Sequence, residues 1–209
     1  MGDVTGRRPA RRILCPAAGR PYRHRVTCQE CGFCYELVAA DAIAGRLRSF
    51  GPRFADALAG AGPATAARRP EPAVWSALEY ACHVRDVFLI QRERAVLAQV
   101  QDNPRVARMN RDERVALCRY DAHAVPDVLG QLAMAAELCA TVFDGLDEAA
   151  LARRLVYPWP EATERDVAWV GRHTVHEGEH HLMDVRRVLA AVSGASGGAG
   201  RPEEDDKAH

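Results

Sequence analysis

Apolar residues recur every three to four positions over residues 75–100, 125–143 and 167–192, the period of helices that bury one face. Alternating apolar and polar runs are short and rare, so the expected class is all-α. A further helix is expected over 39–58, weakened by Gly45 and by the Gly51-Pro52 pair. Two start signals stand out: Ser76 with Glu79, and Thr163 with Asp166, each spaced as a capping box in which a hydroxyl and a carboxylate satisfy orphan amides. The stretch 61–72 holds three prolines and no periodicity, which makes it a loop, and 103–120 is a long connection. Helices of this number and length suit a four-helix bundle with one long crossover. The bundle is expected over 39–192, after a cysteine-rich head (1–38) and before a Gly-rich, acidic tail (193–209) expected to be disordered.

Charge narrows the partners. The 209 residues carry 28 basic and 28 acidic side chains, so nothing favours a polyanion, and nucleic acid is not an expected partner. Lys207 is the single lysine; the arginine bias yields no function by itself. No run approaches the roughly 20 apolar residues of a membrane span, and the Arg-rich start has no apolar run behind it, so a cytoplasmic protein without a membrane partner is expected.

Four of the eight histidines lie within nine residues: His173, His176, His180 and His181. His173, His176 and His180 share a helical face with Trp169 and Met183, apart from the stripe of Val167, Val175, Leu182, Val185 and Leu189. A pair at i and i+4, His176 and His180, presents two imidazoles to one point, a common way to hold a divalent metal. A solvated histidine face is the bland alternative. His176-Glu-Gly-Glu-His180 also reads as H-E-x-x-H, but Met183 and Arg186 stand where a metzincin needs glycine and histidine, and little chain remains for another third ligand. Peptidase is therefore a minor reading. His83, on the apolar stripe with Tyr80, Val87 and Ile90, is the histidine elsewhere that points into a bundle, and it completes a plausible three-nitrogen site. His173 and His181 are expected to matter less, and Cys82, Cys118 and Cys139 to be packing residues.

The segments Trp-Ser-x-Leu-Glu-Tyr-x-x-His-Val-Arg-Asp-Val (75–87), Met-Asn-Arg-Asp-Glu-Arg (109–114) and His-Thr-Val-His-Glu-Gly-Glu-His-His-Leu-Met-Asp-Val (173–185) resemble the DinB-like superfamily. The likeness runs over about 74–190 and is strongest to the branch of mycothiol-dependent maleylpyruvate isomerase and the mycothiol or bacillithiol S-transferases. It implies a four-helix bundle holding zinc or nickel through His83, His176 and His180, with glutamate replacing the first of the pair in some members. The implied reaction is thiol S-transfer or isomerisation of a small electrophile, with mycothiol or a similar thiol as co-substrate; a thiol-independent hydrolase, lyase or cyclase and a non-catalytic stress protein are the alternatives. Metal coordination would make a thiolate available at neutral pH. Arg111 and Arg114 are candidates for holding the thiol or substrate, and Arg111, Tyr80 and Tyr157 for acid or hydrogen-bonding roles, against the plainer readings of a solvated turn and packed tyrosines. A homodimer is compatible with this class.

The head carries Cys15 and Cys28-Gln-Glu-Cys31-Gly-Phe-Cys34, a knuckle-like turn in which glycine permits the tight bend. A second, structural zinc on Cys15, Cys28, Cys31 and Cys34 is expected, with His24 as a substitute ligand and free thiols as the alternative.

Overall fold

A computed structural model describes residues 27–196. Cys15, His24 and most of the tail lie outside the described residues. The helices are α1 (Ile43–Arg48), α2 (Phe50–Leu58), α3 (Pro63–Ala67), α4 (Ala77–Val100), α5 (Arg111–Leu117), α6 (Val125–Asp144), α7 (Glu148–Leu151) and α8 (Val167–Ser196), with an antiparallel hairpin of β1 (Arg154–Tyr157) and β2 (Thr163–Asp166) before α8. Helix α4 packs against both α6 and α8, and α1 and α2 close the bundle against the same two helices. This is the four-helix bundle expected from the periodicity.

The expected first helix is divided at Ser49, whose backbone stays right-handed helical, so α1 and α2 run on as one bent element. Pro52 sits in the first turn of α2, where its missing N–H costs little, and the bend precedes it. Gly51 lets α2 lie directly on α6: a Cβ there would come 2.9 Å from that of Ala133.

Central position explains why α4 has no strongly apolar side. Its first half is buried almost all round, and apart from His83 the polar groups there are satisfied internally. Arg85 binds Asp86 (2.7 Å) and Gln131 (2.6 Å), Asp86 accepts from the Tyr120 hydroxyl (2.7 Å), and Arg114 closes on the same carboxylate at 3.6 Å. The start of α4 is the expected capping box: Glu79 N–H donates to Ser76 Oγ (3.2 Å) and Ser76 N–H to Glu79 Oε2 (2.7 Å), while Arg69 grips the same carboxylate.

The second expected box fails. Thr163 to Asp166 are strand residues paired with β1, and Asp166 alone caps α8 by accepting from Trp169 N–H at 2.6 Å. Strand pairing with Tyr157 holds the Thr163 backbone extended, and its hydroxyl donates to the Glu161 carbonyl (3.1 Å) instead of capping the helix. By length and composition α6 could cross a membrane; here Val128, Leu132, Ala135, Ala136 and Cys139 are buried as a core helix's face. Cys82 and Cys139 are buried with thiols pushed up to about 12 by burial, whereas Cys118 is exposed and is not a packing residue.

Candidate metal centres

Helix α8 turns its ionisable residues to two neighbours. On the bundle side, one donor atom from each of His83 of α4 and Glu177 and His181 of α8 lies within 4.8 Å of the others. Glu177 Oε2 is 3.9 Å from His83 Nε2 and 3.5 Å from His181 Nε2. On the other side, Cys28, Cys31, His176 and His180 form a second group with the same spread. The trio expected from the sequence is thus divided: His83 does not meet His176 and His180, and its partners are the residues one position later. Both pairs have i,i+4 spacing, but 177 and 181 border the apolar stripe that faces α4, while 176 and 180 are turned one step further round the helix. The two groups adjoin, with His176 Nδ1 3.5 Å from Glu177 Oε1 and the His180 and His181 rings 5.2 Å apart. His181 and Glu177 are the members that the sequence reading missed, and nearness to that stripe was the signal for them.

The electrostatics of the first cluster follow from its partners. Burial alone would raise the Glu177 carboxyl and lower the imidazoles. Contacts from His176, His181 and His83 overcome this at Glu177, which is held well below the carboxylate range. At His181 burial is outweighed by Asp184 and Glu177, and its value rises to about 9. His83 has no comparable support and burial pushes it down. Asp184 Oδ2 lies 2.9 Å from His181 Nδ1, and Arg187 donates to Oδ1 at 2.6 Å. This is a carboxylate behind a ligand imidazole, the arrangement that fixes ring orientation in metal sites. His83 Nδ1 is buried with no hydrogen-bond partner, and so are both ring nitrogens of His176. Orphaned buried nitrogens beside carboxylate and thiol donors fit a site built for a cation.

A sequence profile of the DinB superfamily matches residues 46–185, well over half of the chain. The chain belongs to that superfamily. No curated protein sequence matches it. Among solved structures, this DinB chain is similar to YfiT from Bacillus subtilis, described as a probable metal-dependent hydrolase with an unusual four-helix bundle topology. The identity is 13% and the TM-score 0.66, with 84% of this chain and 94% of that chain covered. At that identity the likeness is one of fold.

In this DinB bundle a cleft of about 280 Å³ opens where the two clusters adjoin, lined by His181 of the first and His180 of the second together with Trp75, Tyr80, Asp184, Arg187, Arg111, Asp112, Ala73 and Glu30. Tyr80 stacks on His181 (5.4 Å between centroids), Trp75 packs on His83 (5.1 Å), and Arg111 lies 6.0 Å over the Trp75 ring. Tyr80 and Arg111 are therefore at the site. Arg114 is not among the residues lining the cleft: it faces the buried Asp86 because α5 folds back on α4. Tyr157 is also elsewhere, its hydroxyl taken by Gln91 (2.8 Å) and Arg94 (2.9 Å) and its ring set against Trp169 and His173. Cys34 is buried near Glu36 and is not grouped with Cys28 and Cys31. A larger hollow, about 630 Å³, opens between Ala40, Phe143 and Arg172, and among the described residues none of the metal-binding groups lines it.

Proposed function

We propose that this DinB-superfamily protein is a metal-dependent enzyme whose reaction centre is His83, Glu177 and His181 and whose substrate is a small polar molecule bearing a carboxylate. The observation that carries this is the convergence of the three donors from α4 and α8 beside a cleft that His181 itself lines. Two imidazoles and one carboxylate are the donor set of hydrolytic zinc centres, and they leave coordination positions free. A divalent ion held there would supply Lewis acidity and make a nucleophile available in deprotonated form at neutral pH.

The side chains around it have separable tasks. Asp184 holds the His181 ring through Nδ1, leaving Nε2 toward the cluster. Trp75 and Tyr80 cover the two imidazoles from bulk water. Burial keeps the Tyr80 hydroxyl protonated, so it can donate to an oxyanion developing in the cleft. Arg111 and Arg187 suit a carboxylate, and their position sets the substrate's orientation.

Water is the nucleophile that this donor set favours, and the description of YfiT supports the same reading. The thiol reading, S-transfer or isomerisation with mycothiol or a similar thiol, keeps one specific support. The cleft carries Arg111 and Arg187 together with Glu30 and Asp112, groups that suit a thiol bearing both carboxyl and polar sugar or amide functions. The deciding experiment loads the protein with zinc or nickel and measures turnover of activated esters, amides and lactones without thiol, and of epoxides, enones and maleyl compounds with and without it. Thiol-independent hydrolysis lost in His83→Ala and Glu177→Gln is the expected result. Strict thiol dependence replaces water by the thiol, and full activity in His83→Ala removes the reaction centre from this place.

A further inference from the structure

We propose that Cys28, Cys31, His176 and His180 form a zinc site that fastens onto α8 the N-terminal hairpin, the tight turn over 27–34 closed by the antiparallel Thr27–Cys34 bridge. The four donors come from segments about 150 residues apart, and their Cys28 to His180 separation in sequence is 152. All four donor atoms lie within 4.8 Å of one another. Cys28 Sγ is 3.6 Å from His180 Nδ1. With zinc–sulfur and zinc–nitrogen bonds of about 2.3 and 2.0–2.1 Å, a tetrahedral edge between sulfur and nitrogen is also about 3.6 Å, so this pair already stands at ligand spacing.

The surroundings are built to hold these atoms. Cys28 N–H donates to Phe33 carbonyl and Gly32 N–H to Cys28 carbonyl, both at 2.9 Å. Gly32 has φ +73°, a left-handed turn that keeps the two thiols on one side of the hairpin. Phe33 and Tyr35 then seat the hairpin on the His176 ring, 5.3 and 5.4 Å between centroids. Both ring nitrogens of His176 are buried and make no hydrogen bond, Glu177 Oε1 standing 3.5 Å from Nδ1; this is costly for an imidazole, and a metal bond satisfies it. His180 turns Nδ1 to the sulfur while Nε2 faces Glu30 (3.4 Å) and Asp184 (3.7 Å), the carboxylate backing typical of a ligand histidine. Two thiolates select zinc over magnesium or manganese.

Unlike the His83 cluster, this set supplies four protein ligands and leaves no open position, so its role is structural. It also shapes the reaction cleft, because Glu30, next to Cys31, lines that cleft.

The test uses the full chain purified without added chelator. X-ray absorption at the zinc edge should show two sulfur and two nitrogen neighbours for this zinc, averaging to about one sulfur per zinc where the His83 centre is also filled, and cobalt substitution should give a sulfur-to-metal charge-transfer band with no exogenous thiol present. Cys28→Ser and Cys31→Ser should each lose this band and one equivalent of zinc, while His83→Ala keeps both. His180→Ala should weaken zinc retention with circular dichroism unchanged. Zinc with only nitrogen and oxygen neighbours overturns the site, as does a three- or four-sulfur shell, which would put other cysteines in place of the histidines. Because the absorption measurement needs no variant, poor folding of a mutant does not leave the question open. Inactivity of the enzyme with this zinc intact counts against the reaction centre, not against the staple.

Discussion

Gly178 offers a sharp test of how α8 is seated, because it lies inside the segment that carries both clusters. A Cβ built there falls 2.5 Å from Cε2 and Cζ of Phe50 and 2.7 Å from Cε1. Phe50 is fully buried and walled by Phe54 (6.4 Å) and Phe88 (5.6 Å), so the ring has little room to retreat the ~1 Å that an ordinary contact requires. Overpacking of this kind costs ~1–3 kcal/mol. Alanine in place of glycine within a helix contributes about 1 kcal/mol in the other direction. Gly178→Ala is thus expected to lose up to ~2 kcal/mol. Gly130, in α6, has nothing within 4 Å of its built Cβ, so Gly130→Ala should gain ~0.5–1 kcal/mol. The two variants should separate by ~0.5–3 kcal/mol, Gly178→Ala being the less stable, with Tm moving ~2–4 °C per kcal/mol for a chain of this size. Urea unfolding followed by circular dichroism in the presence of chelator measures this without a metal contribution. Equal stabilisation of the two variants would refute the close approach of α8 to α2. The displaced backbone at Gly178 should also weaken metal retention at Glu177.

Ser76→Ala removes half of the capping box and should cost ~1 kcal/mol, seen as faster amide exchange in the first turn of α4. Metal-free protein should lose stability as pH falls from 6.5 to 4: burial holds His173 near 4 against an ordinary 6.5, so the unfolded chain takes up the proton first, at up to ~1.4 kcal/mol per pH unit, and His173→Phe should flatten that slope in pH-resolved unfolding. Tyr80→Phe should leave metal content unchanged and lower kcat with little change in KM, since it removes one donor to a developing anion; an unchanged kcat would place Tyr80 in packing alone.

The bundle was legible because long helices advertise themselves: α4, α6 and α8 lie where the periodicity put them, and Ser76 with Glu79 capped α4 as the spacing implies. The β1–β2 hairpin was not legible. Each strand has four residues, too few for alternation to show, and Thr163 carried a misleading cap signal that the strand backbone and the turn to the Glu161 carbonyl cancel. Tyr157 and Arg114 were misplaced for a related reason: a buried phenol or guanidinium reads the same in sequence whether its partner is a substrate or Gln91, Arg94 and Asp86.

The metal chemistry divides along the same line. Residue types and their i,i+4 spacing, with the Cys28–Cys31 knuckle, determined that this chain concentrates nitrogen, sulfur and carboxylate donors in two short segments. Spacing could not say which donors meet. A pair at 176 and 180 and a pair at 177 and 181 have the same internal geometry and differ by one step of about 100° around the helix. That step places the first pair roughly 150–170° from the centre of the apolar stripe and the second roughly 70–110° from it. Packing of α8 on α4 and Phe50 therefore turns Glu177 and His181 to His83, and the head segment covers the adjoining face, where His176 and His180 meet Cys28 and Cys31. Local sequence sets the angle between neighbouring donors; only burial of the apolar stripe sets which of them faces the interior.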